Sequence, residues 1–237
     1  MANRPVFVPR IKGNEVGVET RNTEFEWFPG MAKSQKQKSV RSMHEASGFT
    51  KVLEISSKSE VPLGIALSAF NLMIKTPKGR FFSLENAFQS SKVFELDGPF
   101  LDLLSVRPLE AKRDDRLRSS GEMVAFRFFD KEFPLEPKTL FYDWLYVNAL
   151  HQNRDLAEQV MQYQAFTDIE FNPQKSFSCQ AFSAALYCSL VKAKKLDLAL
   201  SSVDSFLDIT ESVYAESELN REQKPGERPK SQQEELF

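Results

Sequence analysis

The chain has 237 residues, of which 41% are hydrophobic and 27% are charged, and this composition excludes a fibrous or wholly disordered protein. A single core is large enough at this length to need no disulfide or structural metal. The net charge of −2 excludes an overall basic protein, so any nucleic-acid contact has to come from a local patch.

The first 50 residues are expected to form an extended arm and a basic segment, both packed on the main domain. Apolar stretches at 5–9 and 24–28 indicate short strands, and Pro29-Gly30 marks a turn. The stretch that follows has four cations, no acid and helix-tolerant residues: Lys33, Lys36, Lys38 and Arg41. It is either a solvated helix face or a patch that contacts nucleic-acid phosphates, and the spacing leaves both interpretations open.

Residues 51–215 carry the patterns of one mixed domain. Short strands are predicted at 52–55 and 124–129. Helices are predicted at 83–94, 109–118, within 143–163, at 180–195 and, as a closing helix, at 196–214. Residues 216–237 are expected to be a disordered tail, because residues 217–237 hold nine charges and three large apolar residues.

Cysteine and histidine usage favours no metal site and no redox cofactor. Cys179 and Cys188 lie in an apolar stretch, and the two histidines, His44 and His151, are far from them in sequence. We expect two reduced, buried thiols. The N-terminus has no apolar core of signal-peptide length, and no stretch reaches the roughly 18 apolar residues of a membrane span. The protein is therefore expected to be cytoplasmic, with no membrane partner.

The predicted helix at 83–94 carries the chemically informative residues. Ser83 is a plausible N-cap, and an apolar face is formed by Leu84, Ala87, Phe88, Ser91 and Phe94. Glu85, Gln89 and Lys92 lie on its flank. They form either an exposed polar stripe or a cleft in which a desolvated Lys92 attacks a sugar carbon and Glu85 moves a proton. In the second interpretation Gln89 holds a hydroxyl, and spacing alone does not choose between the two.

The run from Gly79 to Lys92, GRFFSLENAFQSSK, resembles the NADAR family. In that family a turn and an aromatic residue lead into a helix with a Glu, an aromatic-Gln pair and then a Lys. The family usually has His after the Glu, whereas this chain has Asn86. This departure weakens any proton-transfer role for that position.

Weaker blocks follow in the family's order. Leu67–Leu72 is similar to a Leu-Ser-Asn-Phe element, and Pro108–Asp114 is similar to a Pro-x-Glu-Ala-Lys element. Asp143–Leu150 resembles a helix that carries a Lys-Phe pair in the family, which Leu150-His151 replaces here. The resemblance covers about residues 50–195. Stretches 53–59 and 141–144 look most like the NADAR antitoxins encoded beside DarT-type toxins.

The resemblance implies a fold and a reaction. The fold is α+β and mainly α-helical, a single NADAR-like domain with a few short strands. The reaction is N-glycosidic hydrolysis that removes ADP-ribose from guanine in nucleic acid, as an antitoxin to a DarT-type DNA ADP-ribosyltransferase. Lys92 would attack ribose C1 and form a Schiff base, with Glu85 as the acidic helper. The implied substrate-binding residues are Ser68, Asn71, Phe88, Gln89, Lys112, Arg113, Trp144 and Asp168.

Two other functions stay open. One is an N-glycosidase that acts on a small ribosylated metabolite, such as an early riboflavin intermediate. The other is a non-catalytic module that binds nucleic acid or a toxin, and the presence of both Glu85 and Lys92 argues against it. The basic segment favours a nucleic-acid substrate over a metabolite. The expected partners are ADP-ribosylated DNA or RNA and a DarT-type toxin, and the oligomeric state stays open.

Overall fold

The computed structural model describes residues 1–222, with side chains described as far as residue 217. The strands are β1 (Ala2–Lys12), β2 (Glu15–Phe25), β3 (Val52–Glu54), β4 (Met73–Lys75), β5 (Phe81–Ser83), β6 (Lys92–Phe94), β7 (Met123–Phe128), β8 (Lys131–Phe133) and β9 (Ala165–Thr167). The helices are α1 (Lys33–Ser47), α2 (Pro62–Ala66), α3 (Leu84–Ser90), α4 (Pro108–Lys112), α5 (Arg116–Ser119), α6 (Leu140–Gln152), α7 (Arg154–Val160), α8 (Gln180–Lys192), α9 (Leu196–Ala199) and α10 (Val203–Glu222), with a 3₁₀ helix at Leu101–Ser105.

The content is 43% helix and 21% strand in small sheets, so the prediction of a mainly helical α+β fold is confirmed. One sheet has the order β2-β1-β9-β3, another pairs β4 with β5, and a third has the order β6-β7-β8. Among the described helices none is both long and apolar enough to cross a membrane.

The N-terminal arm is a long hairpin rather than two short strands. β1 and β2 pair from Ala2–Phe25 down to Lys12–Glu15 around a turn in which Gly13 has φ +64°. A Gly-Asn dipeptide between alternating residues is a hairpin signal, and the strand prediction from 5–9 and 24–28 overlooked it. Phe7 also pairs with Phe166 of β9, so the hairpin and the rest of the chain share one sheet.

The core is built around α6 and α8, which pack on each other and are buried on nearly all sides. Ten of the 13 residues in each helix are buried. A helix enclosed in this way has no polar face, which explains why both segments are apolar almost throughout. Cys179 and Cys188 are free and buried here, as predicted.

The predicted helix at 83–94 is wrong at its C-terminal end. α3 ends at Ser90, and Lys92 is the first residue of β6, where it pairs with Phe126. The hydroxyls of Ser90 and Ser91 both donate to the Ala87 carbonyl, at 3.1 and 2.7 Å. Such bonds compete with the helical backbone pattern, and sheet pairing then satisfies the following residues.

The closing helix predicted at 196–214 is divided into α9 and α10, and α10 ends later than predicted. α10 continues to Glu222, so residues 216–222 of the predicted tail are helical. An ion pair between Arg10 and Glu216, at 3.0 Å, joins this helix to β1. The rest of the predicted tail, residues 223–237, lies outside the described residues.

Candidate active site

The start of α3 is fixed by the loop at residues 67–72. Ser83 caps the helix, as predicted, by accepting a hydrogen bond from the Asn86 amide at 3.1 Å. The amides of Leu84 and Glu85 donate to the carbonyls of Leu72 and Ala69, at 2.8 and 2.9 Å. These backbone hydrogen bonds fix the position of Glu85 independently of the contacts of its side chain.

Lys92 is held by the turn that leads out of α3 and by a glycine beneath it. Gly98 has φ +101°, and a Cβ at this position would lie 2.5 Å from the Lys92 carbonyl oxygen. A non-glycine residue would be strained in this conformation and would also collide with the backbone of Lys92. Only glycine lets the chain approach Lys92 this closely.

The Lys92 side chain has 0% solvent exposure, which is unusual for a lysine. Its ammonium nitrogen lies 5.1 Å from the centroid of the Phe88 ring. Burial lowers the pKa of Lys92, the charge of Glu85 raises it and the charge of Lys112 lowers it, and the resulting pKa is about 7. A substantial fraction of the molecules would therefore carry a neutral amine at neutral pH, the form that acts as a nucleophile.

The Glu85 carboxylate joins two other predicted residues. Gln89 donates from Nε2 to Oε1 of Glu85 at 2.9 Å, and the Lys112 ammonium lies 3.9 Å from the same oxygen. Glu85 and Gln89 are buried, whereas the Lys112 side chain is 40% exposed. Among the described residues the buried Oε1 of Gln89 has no hydrogen-bond partner. It is an acceptor that a substrate hydroxyl could satisfy.

Phe88 and Tyr142 form an aromatic wall beside this cluster. Their rings meet edge to face with centroids 5.1 Å apart, and Phe88 also stacks on Phe126 at 5.4 Å. Burial raises the pKa of the Tyr142 hydroxyl well above its usual range, and the charges of Glu85 and Asp168 raise it further. Tyr142 therefore keeps its proton and is influenced by both carboxyl groups.

Ser68 and Asn71 support the loop that holds Glu85. The Ser68 hydroxyl donates to the Ile65 carbonyl at 2.7 Å. The Asn71 amide donates to the Ser68 hydroxyl at 2.8 Å and to the Ile65 carbonyl at 3.0 Å. These bonds fasten the loop to the end of α2, so both side chains contribute to its shape.

Asp168 lies on the other side of the same loop. Its Oδ2 accepts a hydrogen bond from Gln180 Nε2 at 3.0 Å, and Gln180 Oε1 accepts one from the Ala69 amide at 2.8 Å. Burial and the charge of the nearby Glu54 raise the pKa of Asp168 to about 8. Asp168 is thus linked to the backbone of the Glu85 loop through Gln180, which the sequence analysis did not identify.

Glu54 is a second buried carboxyl that the sequence analysis did not single out. Its Oε1 accepts hydrogen bonds from the Ser56 hydroxyl at 2.6 Å and the Ile169 amide at 2.9 Å. Its Oε2 accepts one from the Thr167 hydroxyl at 2.7 Å. Burial raises the pKa of Glu54, and its donors tie β3 to the chain around β9. A Glu inside an otherwise apolar strand was the available signal.

Two predicted binding residues lie outside the cluster. Trp144 is 7% exposed and packs between Phe128 and Phe133, with ring centroids 6.2 and 4.9 Å away. Its ring is part of the aromatic core around Phe128 and Phe133. Arg113 is exposed at the end of α4, where its side chain forms no ion pair with any described residue.

The basic segment forms α1, away from Lys92, and two of its four cations have acidic partners. The Lys36 ammonium lies 3.7 Å from Glu170 Oε1, and Arg41 binds Glu60 through two hydrogen bonds, at 2.8 and 2.5 Å. Lys33 and Lys38 are exposed. The partners come from distant parts of the chain, which is why the local sequence looked uncompensated.

Asn86 has a structural role at the position where the family usually has His. Its side-chain amide donates to the carbonyls of Leu103 and Val106, at 2.6 and 3.0 Å. These bonds hold the 3₁₀ helix against α3. Because the side-chain amide of Asn86 donates both hydrogen bonds, these contacts explain why Asn is suited to this position.

A cleft of about 510 Å³ opens beside the start of α3. The cleft does not include Lys92 or Glu85. Phe70 lines the cleft and lies 5.6 Å from the Lys112 ammonium, which in turn contacts Glu85, so these residues connect the cleft to the Glu85 cluster. The lining residues of the cleft are Phe70, Met73, Arg80, Phe81, Phe82, Ser83, Asn86, Leu104, Ser105, Val106 and Pro108. Within the described part of the chain, no three His, Cys, Asp or Glu residues are grouped to hold a metal ion.

The family model of the DarT1-associated NADAR antitoxins matches residues 2–220. The protein belongs to this family. No curated protein matches the chain. The family match includes the β1–β2 hairpin and most of α10, both of which lie outside the roughly 50–195 stretch that carries the sequence resemblance. The NADAR unit of this chain therefore extends through nearly all of the described residues.

Proposed function

We propose that the protein is a cytoplasmic N-glycosidic hydrolase that removes ADP-ribose from ADP-ribosylated guanine in nucleic acid, and so counteracts a DarT-type toxin. The observation that carries this proposal is the buried Lys92 beside Glu85, because burial lowers the pKa of Lys92 to about 7 although the charge of Glu85 raises it. A lysine that is partly neutral at physiological pH can form a covalent bond to a sugar carbon. Family membership supports the toxin as a partner.

In the proposed first step, the Lys92 nitrogen bonds to ribose C1 while the bond from C1 to the guanine nitrogen breaks. Guanine keeps the electron pair of that bond. Glu85 accepts the extra proton from the Lys92 nitrogen and passes it to the departing guanine. The carboxylate also stabilises the positive charge that develops on the ribose.

In the second step, the sugar ring opens to a protonated Schiff base on Lys92, and the ring oxygen takes a proton from solvent to become a hydroxyl. Water then adds to C1 and returns one proton to solvent, the carbon–nitrogen bond breaks, and ADP-ribose leaves with Lys92 as a neutral amine. The net reaction consumes one water molecule and restores the amine. In this scheme Gln89 Oε1 accepts a hydrogen bond from a ribose hydroxyl, and Lys112 binds the diphosphate.

The test uses a single-stranded oligonucleotide that carries one ADP-ribosylated guanine. We expect the wild-type protein to release ADP-ribose, and borohydride to trap a covalent adduct on the peptide that contains Lys92. Lys92→Met is expected to fold, release no ADP-ribose and give no adduct. A Lys92→Met protein with wild-type turnover would contradict the proposal. Activity on a ribosylated pyrimidine, with none on the oligonucleotide, would instead identify a small-metabolite N-glycosidase.

A further inference from the structure

The cleft beside α3 has an exposed aromatic surface that the proposed reaction does not use. In the β4–β5 pair, Met73 lies opposite Ser83 and Lys75 lies opposite Phe81, so these four side chains share one face. Ile74 and Phe82 point to the other face and are buried. Phe81 is 60% exposed, which is a large exposed apolar surface for a residue that lines a cleft.

The same segment is basic. Between Phe70 and Phe81 the chain has three cations, Lys75, Lys78 and Arg80, and no acidic residue. Arg80 lines the cleft, and the Lys75 ammonium lies 5.5 Å from the Phe81 ring. Lys112 continues this positive charge toward Glu85 along the Phe70 ring. An open aromatic ring flanked by cations is the combination that binds unpaired bases and their phosphates.

The start of α3 offers little to a diphosphate. The amides of Leu84, Glu85 and Asn86 are already bonded, to the Leu72 and Ala69 carbonyls and to the Ser83 hydroxyl. A ligand in this cleft therefore has the aromatic ring and the side-chain cations as its main contacts. Such contacts suit the base and the phosphate of a nucleotide.

We propose that this cleft binds the nucleotide next to the modified guanine in a single strand, with its base on Phe81 and its phosphate at Arg80 and Lys75. The inference rests on the proposed function, because it assigns a position to the strand around the reacting nucleotide. The volume of about 510 Å³ lies within the range of ligand-binding clefts. Bases within a duplex have no free face to place on Phe81, so the occupant is single-stranded.

The test compares Phe81→Ala and Arg80→Gln with two matched control variants at residues that do not line the cleft. Leu198→Ala removes an apolar side chain that is also 60% exposed, and Lys192→Gln removes an exposed cation near it. Binding of an unmodified single strand is measured by fluorescence anisotropy. Hydrolysis is measured on an ADP-ribosylated oligonucleotide and on ADP-ribosylated guanosine, which has no neighbouring nucleotide.

We expect Phe81→Ala to weaken strand binding about 5- to 100-fold, the range for loss of one stacked base. The kcat/KM for the oligonucleotide falls by a similar factor, while that for ADP-ribosylated guanosine keeps its value. Arg80→Gln reduces the slope of log binding constant against log salt by about 0.7, as for one phosphate contact. The two control variants leave both measurements unchanged.

Equal losses on both substrates would overturn the inference, since the cleft would then belong to ADP-ribose itself. Unchanged strand binding in both cleft variants would also overturn it. A wild-type protein that releases ADP-ribose from neither substrate contradicts the proposed function instead. In that case the anisotropy measurement still decides whether the cleft binds a strand.

Discussion

At the residue scale, the protonation of Lys92 is set by burial and by two charged neighbours that act in opposite directions. Burial lowers its pKa, Glu85 raises it and Lys112 lowers it, and the resulting value is about 7. Because the neutral amine is the nucleophile, kcat/KM is expected to rise with pH and level off above about 7. The position of this rise is therefore a readout of the electrostatics around Lys92.

Lys112→Met removes the like charge and keeps an apolar stem beside Phe70. The pKa of Lys92 is expected to increase, so the rise in kcat/KM moves to higher pH. Arg113→Met is the matched control, because it removes a neighbouring cation that does not act on the Lys92 pKa. The measurement is the pH profile of both variants. A midpoint that stays in place in Lys112→Met would contradict this electrostatic account.

Glu85→Gln is expected to move the same midpoint in the other direction. Loss of the carboxylate removes the charge that raises the Lys92 pKa, so the rise in activity shifts to lower pH. Turnover falls by about 10² to 10⁴, because proton transfer and charge stabilisation are lost together. Stopped-flow binding of ADP-ribose is the control and should change little. A loss of affinity with normal kcat would make Glu85 a ligand of the ribose hydroxyls.

At the scale of elements, the site depends on the change from helix to strand between Ser90 and Lys92. β6 pairs with β7, and Gly98 supports the Lys92 carbonyl from the other side. The direction of the Lys92 side chain is therefore a property of β6 and the turn that follows it. A change in this turn should alter activity without touching a charged group.

Gly98→Ala is expected to displace Lys92. The added Cβ would lie 2.5 Å from the Lys92 carbonyl oxygen, so β6 has to move. Gly48→Ala is the control, because Gly48 also has a positive φ, at +74°, with nothing within 4 Å of the added Cβ. Both variants should lose about 1–2 kcal/mol of unfolding free energy from backbone strain, and Gly98→Ala should also lose turnover. Equal turnover in the two variants would show that Lys92 tolerates the shift.

The cations of α1 should divide into two pairs with different effects. Lys33→Ser with Lys38→Ser removes the exposed pair, and we expect weaker binding of a single strand, with a salt slope flatter by up to about 1.4. Lys36→Ser with Arg41→Ser removes the pair bound to Glu170 and Glu60, and should change the melting temperature little, because ion pairs in contact with water are weak. Anisotropy and thermal unfolding separate the two. Unchanged strand binding in the first variant would show that these cations belong to a solvated helix face and do not contact nucleic acid.

At the scale of the whole molecule, the hairpin belongs to the core, because Phe7, Val16 and Val18 are buried in the same cluster as α6 and α8. Removal of residues 1–27 is therefore expected to prevent folding. Removal of residues 223–237 should leave the melting temperature and activity unchanged. That stretch has two large apolar residues, Leu236 and Phe237, which are too few to stabilise packing on the domain. Circular dichroism and thermal unfolding of both truncations test this. A cooperatively folded chain lacking residues 1–27 would contradict it.

Features that depend on local chemistry were readable from the sequence. The Ser83 cap is one, because its hydrogen bond reaches only to Asn86. The helices within 143–163 and at 180–195 are others, since their apolar residues recur along stretches that contain neither Gly nor Pro. The block from Glu85 to Lys92 likewise pointed to the family, which the match over residues 2–220 shows.

The tertiary structure decided what depends on residues far apart in the chain. α3 ends at Ser90 because the next residues form β6 and pair with β7. The spacing of Val93 and Phe94 is compatible with a helix and with a strand, so the sequence did not show this end. Lys112 reaches Glu85, and Gln180 joins Asp168 to Ala69, only when α4, α8 and the 67–72 loop are packed together. The lowered pKa of Lys92 also depends on tertiary packing, because residues from distant parts of the chain bury its side chain and exclude water from it. The sequence by itself determined which groups were available for chemistry, and packing determined their distances, exposure and charge.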